Sequence, residues 1–309
     1  MKQEISAGIW PTMVTPFLPD GAIDYSAVEK MVEWYIRQGS TGIFAVCQSS
    51  EMFSLSAAEK RELARQVTRF AGGRIEVIAS GDTETDPVKQ YENIEGMAEA
   101  GVDAVVLVTN RYASPEEGEG VLLERIGGIL AKYPEVCFGM YECPYPYKRL
   151  MSQEALRTLA QAGNMVFLKD TCCDIGLIRL RLDALRGTGL KLFNANSATL
   201  YDSLAYGAGG FSGVMGNFHP GLYRYIFDHI SGAEESARLA ADFTALASLM
   251  ETAAYPACAK YHFNLLGIPM STAVRTPGAK PLGDLDKRMA ASLLALETLA
   301  YEKLGLDLY

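Results

Sequence analysis

Ala104-Val-Val-Leu-Val108 is an unbroken apolar run of strand length, without the polar alternation of a strand that keeps one face in water. Such a run fits a parallel strand covered on both faces. Similar runs occur on both sides of it at Gly8–Val14, Gly42–Cys47, Glu76–Ser80, Val136–Tyr141, Met165–Lys169, Lys191–Phe193 and Gly210–Val214. Helical stretches separate them, with marked boundaries. Ser56-Ala-Ala-Glu59 is a capping box. Asp86-Pro87 and Ser114-Pro115 each place a capping side chain before a proline suited to the first helical turn. Gly39, Gly101 and Gly163 stand at equal intervals, each where a left-handed residue would end a helix before the next strand. Eight βα units over residues 1–230 predict a (β/α)8 TIM barrel. A doubly wound sheet would need a glycine-rich turn after the first strand, and Val14-Thr-Pro-Phe17 is not one. Beyond Ile230 the strand signal stops. Glu234–Thr252, Pro256–Leu266 and Leu285–Leu304 read as extra C-terminal helices, and Gly267–Leu282 as an ordered loop. Residues 231–309 are thus expected to extend the same domain.

Composition narrows the function. The chain has 309 residues and a net charge of −9, with basic residues scattered rather than gathered in a stripe. No nucleic-acid partner is expected. The start, MKQEISAGIW, has no basic segment followed by an apolar run, and no stretch is long and apolar enough to span a membrane. A cytoplasmic, membrane-free enzyme is the expectation. The six cysteines form no CxxC pair and the three histidines lie far from most of them, so no metal site is expected.

Barrel enzymes carry their chemistry where strands end. Strand six ends in Val166-Phe-Leu-Lys169-Asp170-Thr171. A lysine there either snorkels into solvent or stays in the dry barrel mouth, where desolvation lowers its pKa and frees the amine to attack a carbonyl. Strand five ends in Tyr141, either a core residue or a phenol able to move protons during imine formation. Strand two ends in Gln48-Ser49-Ser50-Glu51, a turn or a cradle of hydroxyl and N–H groups for a carboxylate. Tyr112 lies on the loop after strand four.

Taken in order, these strand ends resemble the dihydrodipicolinate synthase and N-acetylneuraminate lyase family of class I pyruvate-type aldolases. The likeness runs from Val14-Thr-Pro-Phe17 to Val274-Arg-Thr-Pro277. It includes Gly21-Ala-Ile-Asp24, Leu55-Ser56, Tyr141-x-x-Pro144, Leu168-Lys-Asp170 and Gly209-Gly-Phe-Ser-Gly213 with Asn217. The resemblance implies Lys169 as the Schiff-base lysine and Tyr141 as the proton-relaying tyrosine. It implies Gln48, Ser49, Ser50 and Ser212 as substrate-binding residues, and Tyr112 as a tyrosine supplied to a neighbouring subunit's site. It further implies a homotetramer built as a dimer of dimers, substrates that are a 2-oxo acid such as pyruvate and an aldehyde, and no metal or diffusible cofactor.

Departures from the family pattern narrow the substrate. The loop that usually reads Gly-Thr-Thr-Gly-Glu is Cys47-Gln-Ser-Ser-Glu51, so an amide replaces a relay hydroxyl. Dihydrodipicolinate synthases place an arginine for the second substrate's carboxylate where Pro146 stands, leaving Lys148 or Arg149 to compensate. Asp170-Thr171 resembles aldolases of 2-keto-3-deoxy acids, which is the expected activity. A synthase-like condensation, a 2-keto-3-deoxy acid dehydratase and a catalytically silent binder of 2-oxo acids remain the alternatives. Cys143, Tyr145 and Tyr147 read equally as a less polar second-substrate pocket or as interface packing.

Overall fold

The computed structural model describes residues 4–232 and 234–309; residues 1–3 of the N-terminal stretch and residue 233 lie outside the described residues. Eight strands follow one another as β1 (Gly8–Ile9), β2 (Gly42–Val46), β3 (Glu76–Ala79), β4 (Ala104–Val108), β5 (Phe138–Tyr141), β6 (Met165–Asp170), β7 (Lys191–Asn194) and β8 (Gly210–Phe211). They pair in parallel around the ring in chain order, with β8 against β1. Between β1 and β2 the ring closes through Phe44 N–H on the Pro11 carbonyl at 2.9 Å and Met13 N–H on the Phe44 carbonyl at 3.1 Å. The chain is a (β/α)8 barrel with helices added at its C-terminal end.

β1 and β8 fall furthest short of their apolar runs. Pro11 has no N–H to donate and ends the regular ladder of β1 after Ile9. The chain after Phe211 bends away at Ser212–Gly213 and winds into the 3-10 turn Val214–Asn217, which ends β8.

Inside the barrel the side chains of alternate residues meet. Trp10, Phe44, Phe167 and Phe193 form its aromatic floor, with Phe167 stacked on Phe193 at 4.4 Å and edge-on to Trp10 at 5.6 Å between ring centroids. Gly42 makes room for this, because a Cβ there would lie 2.2 Å from the Trp10 ring. Lys169 stands two residues beyond Phe167, so strand alternation brings it to the same side, above that floor.

The helix boundaries follow the capping logic in part. Ser56 and Glu59 form the reciprocal box at the start of Ala57–Ala71. Asp86 accepts from Val88 N–H at the start of Pro87–Glu99. Ser114-Pro115 does not open a helix. The Glu117 carboxylate accepts from Ser114 N–H and pairs with Arg125, which holds a turn, and the helix begins later at Glu119. Gly39, Gly101 and Gly163 all have positive φ. The extension consists of Glu235–Ala247, the 3-10 turn Ser248–Thr252, Ala257–Leu265 and Asp284–Leu304, with an ordered loop before the last. Among the described residues no helix is long and apolar enough to cross a membrane.

Candidate active site

A cavity of about 510 Å³ opens at the C-terminal ends of the strands, with Lys169 and Tyr141 in its wall. A second cavity, of about 520 Å³, lies at the opposite end beside Thr41 and Glu76, where the strands begin. In this fold chemistry belongs at the first.

Register sets the pair. Tyr141 of β5 sits opposite Lys169 of β6, and the Lys169 ammonium nitrogen lies 4.6 Å from the Tyr141 ring centroid and 5.9 Å from that of Phe44. Lys169 is 4% exposed. Desolvation pulls its pKa below the usual lysine range, opposed by attraction to Cys47, Cys143 and Glu251. Burial pushes Cys47 and Cys143 up, so these two neighbours stay neutral thiols at ordinary pH. Desolvation also pushes the Tyr141 phenol well above its ordinary value. The result is an amine among aromatic rings and neutral thiols, an environment that favours its nucleophilic form.

The residues after Tyr141 and Lys169 anchor both strand ends. Alternation turns Glu142 and Asp170 to the helix side, where the wholly buried Arg181 of helix Ile175–Leu185 meets them. Arg181 holds Glu142 bidentately at 2.8 and 3.0 Å, donates to Asp170, and donates to the Met151 carbonyl at 2.6 Å. One guanidinium thereby fixes the relative height of the two strand ends.

The sequence profile of the dihydrodipicolinate synthetase family matches residues 5–296. The chain belongs to that family. It is 28% identical over 267 residues to the 4-hydroxy-tetrahydrodipicolinate synthase of Shewanella denitrificans, covering 86% of this chain and 89% of that protein. Among solved structures it superposes on the Acinetobacter baumannii dihydrodipicolinate synthase complexed with pyruvate, with a TM-score of 0.84 at 26% identity over 94% of this chain and 99% of the other. The fold is shared with YagE of E. coli K12 in complex with pyruvate (TM-score 0.86, 22% identity, 95% and 99% covered). It is shared as well with CdNal of Clostridium difficile in complex with mannosamine (TM-score 0.84, 17% identity, 94% and 99% covered). Members of the dihydrodipicolinate synthetase family are lyases and synthases that work through a lysine Schiff base, and this chain is an enzyme of that kind.

Of the residues expected in the site, Lys169, Tyr141, Gln48 and Ser49 line the cavity. The Gln48 carbonyl oxygen accepts from the Tyr141 hydroxyl at 3.3 Å and the Cys143 thiol at 3.4 Å. Ser49 donates to Thr12 at 3.1 Å and sits beside the Tyr255 hydroxyl. Ser50 does not line it: its hydroxyl folds back onto the Cys47 carbonyl and N–H, both at 2.7 Å, and the residue is fully buried. Ser212 is likewise buried outside the cavity wall, its N–H donating to the Asn194 carbonyl. Tyr112 does not line the cavity either: its ring is buried within this chain and its hydroxyl donates to Asp82.

The loop after β5 also resolves. Arg149 turns away to the carbonyls of Ser114 and Glu117, while Lys148 lines the cavity and donates to the Thr171 carbonyl. Tyr147 donates to the Asn110 and Ala113 carbonyls, and Tyr145 packs on Phe53 at 5.0 Å; neither lines the cavity. Missing from the strand-end reading were Glu251, Tyr255 and Thr276, which the C-terminal extension brings to the cavity. They follow no strand, so no strand-end signal could mark them.

Proposed function

We propose that this enzyme is a class I aldolase that cleaves or forms a carbon–carbon bond of a 2-keto-3-deoxy acid, with Lys169 as its imine-forming residue. The observation that carries the reading is the buried Lys169 amine, its pKa lowered by desolvation, set opposite Tyr141 in an open cavity. Lys169 attacks C2 of the 2-oxo acid. Tyr141 handles the protons as the carbinolamine loses water. The iminium then draws electrons from C3, and the bond beyond C3 breaks or forms through the enamine. Ser49 and the N–H groups of its loop receive the carboxylate. No metal or diffusible cofactor takes part.

The relatives complexed with pyruvate support a pyruvate-type donor. The absence of an arginine at Pro146, with Arg149 turned away, supports an acceptor other than the one dihydrodipicolinate synthases bind. A tetramer of four such chains follows from the family resemblance. Light scattering on the purified protein tests it, with four times the chain mass expected and one times the chain mass contradicting it. The activity is tested by offering 2-keto-3-deoxygluconate and following pyruvate release. Pyruvate together with an aldehyde supports the aldolase. Loss of water without pyruvate replaces it with the dehydratase, and turnover only of pyruvate with aspartate semialdehyde replaces it with the synthase.

A further inference from the structure

Tyr141 is badly placed to serve every proton in this cycle. Its hydroxyl donates to the Gln48 carbonyl oxygen, which also receives the Cys143 thiol. An amide oxygen accepts hydrogen bonds but has no proton to pass on. Tyr112 offers no second phenol in this chain's cavity, because its hydroxyl is buried against Asp82. Burial also keeps Tyr141 protonated, and a neutral phenol is a weak base for a carbon acid.

Among the described residues the cavity wall holds one carboxylate, that of Glu251, on the 3-10 turn Ser248–Thr252. Among the described residues its side chain makes no hydrogen bond and no ion pair. A carboxylate at a pocket rim is most often only a solvated surface group. Glu251 differs in its surroundings. The residue is exposed at the mouth, yet protein crowds its carboxyl enough that desolvation, opposed by attraction to Lys169, holds its pKa at about 7. It faces Lys169 and Cys173 from the barrel side, Tyr223 from the helix Pro220–His229, and Lys148, Tyr141 and Tyr255 around the cavity. A group with that pKa is present in both forms near neutral pH, which suits it to take a proton and return it.

We infer that Glu251 is the acid–base residue at the carbon that makes and breaks the bond. This rests on the reading of Lys169 as the imine-forming residue. The Glu251 carboxylate takes a proton from C3 of the 2-oxo acid held as an iminium on Lys169. The C3–H electron pair becomes the C2–C3 double bond, and the C=N pair settles on nitrogen. The enamine then bonds to the aldehyde carbon, and the carbonyl π pair moves to oxygen. That oxygen receives the proton from Glu251, which returns to carboxylate. Nothing is oxidised or reduced, and cleavage runs the same steps backwards. Exposure at the mouth lets Glu251 exchange its proton with water between steps.

Pyruvate itself is the probe. Its methyl hydrogens are followed by NMR in deuterated water with wild type, Glu251→Gln and Glu251→Asp, and each protein is treated in parallel with borohydride and pyruvate. Wild type should form the reduced adduct on Lys169 and exchange the methyl hydrogens, faster as pH rises through about 7 and the carboxylate forms. Glu251→Gln should form the adduct as wild type does, but exchange about 10²-fold or more slowly and without that pH limb. Glu251→Asp should restore part of the rate. A smaller fall in Glu251→Gln, or a pH limb that survives in it, overturns the assignment. So does loss of the adduct in Glu251→Gln, because Glu251 would then act on imine formation instead. Wild type that forms no adduct sinks the Lys169 reading itself, and wild type that forms the adduct without exchange sinks only the role given to Glu251.

Discussion

Lys169 has a measurable cost for stability. A lysine whose pKa falls on folding is held by a native state that binds fewer protons than the unfolded chain. Stability therefore rises with pH between the lowered folded value and the usual 10.5, and below the folded value the penalty is present in full. Lys169→Met removes that penalty while filling similar volume. We expect the variant to be inactive but to melt a few degrees above wild type at neutral pH, with the gap closing as pH is raised. A lower Tm, or a gap indifferent to pH, contradicts this picture of a buried, desolvated amine. That Lys169 and Tyr141 meet at the barrel mouth was legible in the sequence because each is a polar side chain closing an apolar run. Ser50 was not separable from Ser49. Both are hydroxyls in one loop, and only the fold-back of the Ser50 hydroxyl onto Cys47 tells them apart.

The strand ends depend on an element behind them. Arg181 lies on the helix after β6 and clamps Glu142 and Asp170, the immediate neighbours of Tyr141 and Lys169. Arg181→Met leaves two buried carboxylates without their cation. It should destabilise the protein by about 3–5 kcal/mol in urea unfolding. Arg181→Lys should recover only part of that, because an ammonium cannot form the fork. A loss below about 1 kcal/mol in Arg181→Met would contradict the clamp. Nothing near Arg181 in the sequence points to this, since its partners lie on two other elements. Strand positions were far easier to read, because a two-sided apolar run needs no partner to be recognised. Where runs overshot, as at β1 and β8, a proline and a tight turn cut the ladder short without changing which side chains face inward.

At the scale of the molecule, the C-terminal extension completes the site rather than merely covering the barrel. Glu51, in a left-handed conformation after β2, pairs with the buried Lys260 at 2.9 Å and accepts from Thr276 N–H at 2.8 Å. It thus ties the loop bearing Gln48 and Ser49 to the segment that brings Thr276 to the cavity. Glu51→Gln should cost about 3 kcal/mol or more, since Lys260 keeps its burial without its counter-charge, and should raise KM for the 2-oxo acid. Unchanged stability and KM would show the extension to be a passive appendage. The barrel could be read from its strands, and the added helices from their periodicity. Their share in the site could not, because it rests on contacts between residues more than two hundred positions apart. The proposed activity turns on one covalent event at Lys169. Borohydride reduction of the protein with pyruvate, followed by intact mass and peptide mapping, tests it most directly. A reduced adduct on Lys169 that is absent from Lys169→Ala is predicted. No adduct on the folded protein with pyruvate or other small 2-oxo acids, or an adduct mapped to another lysine, would contradict it.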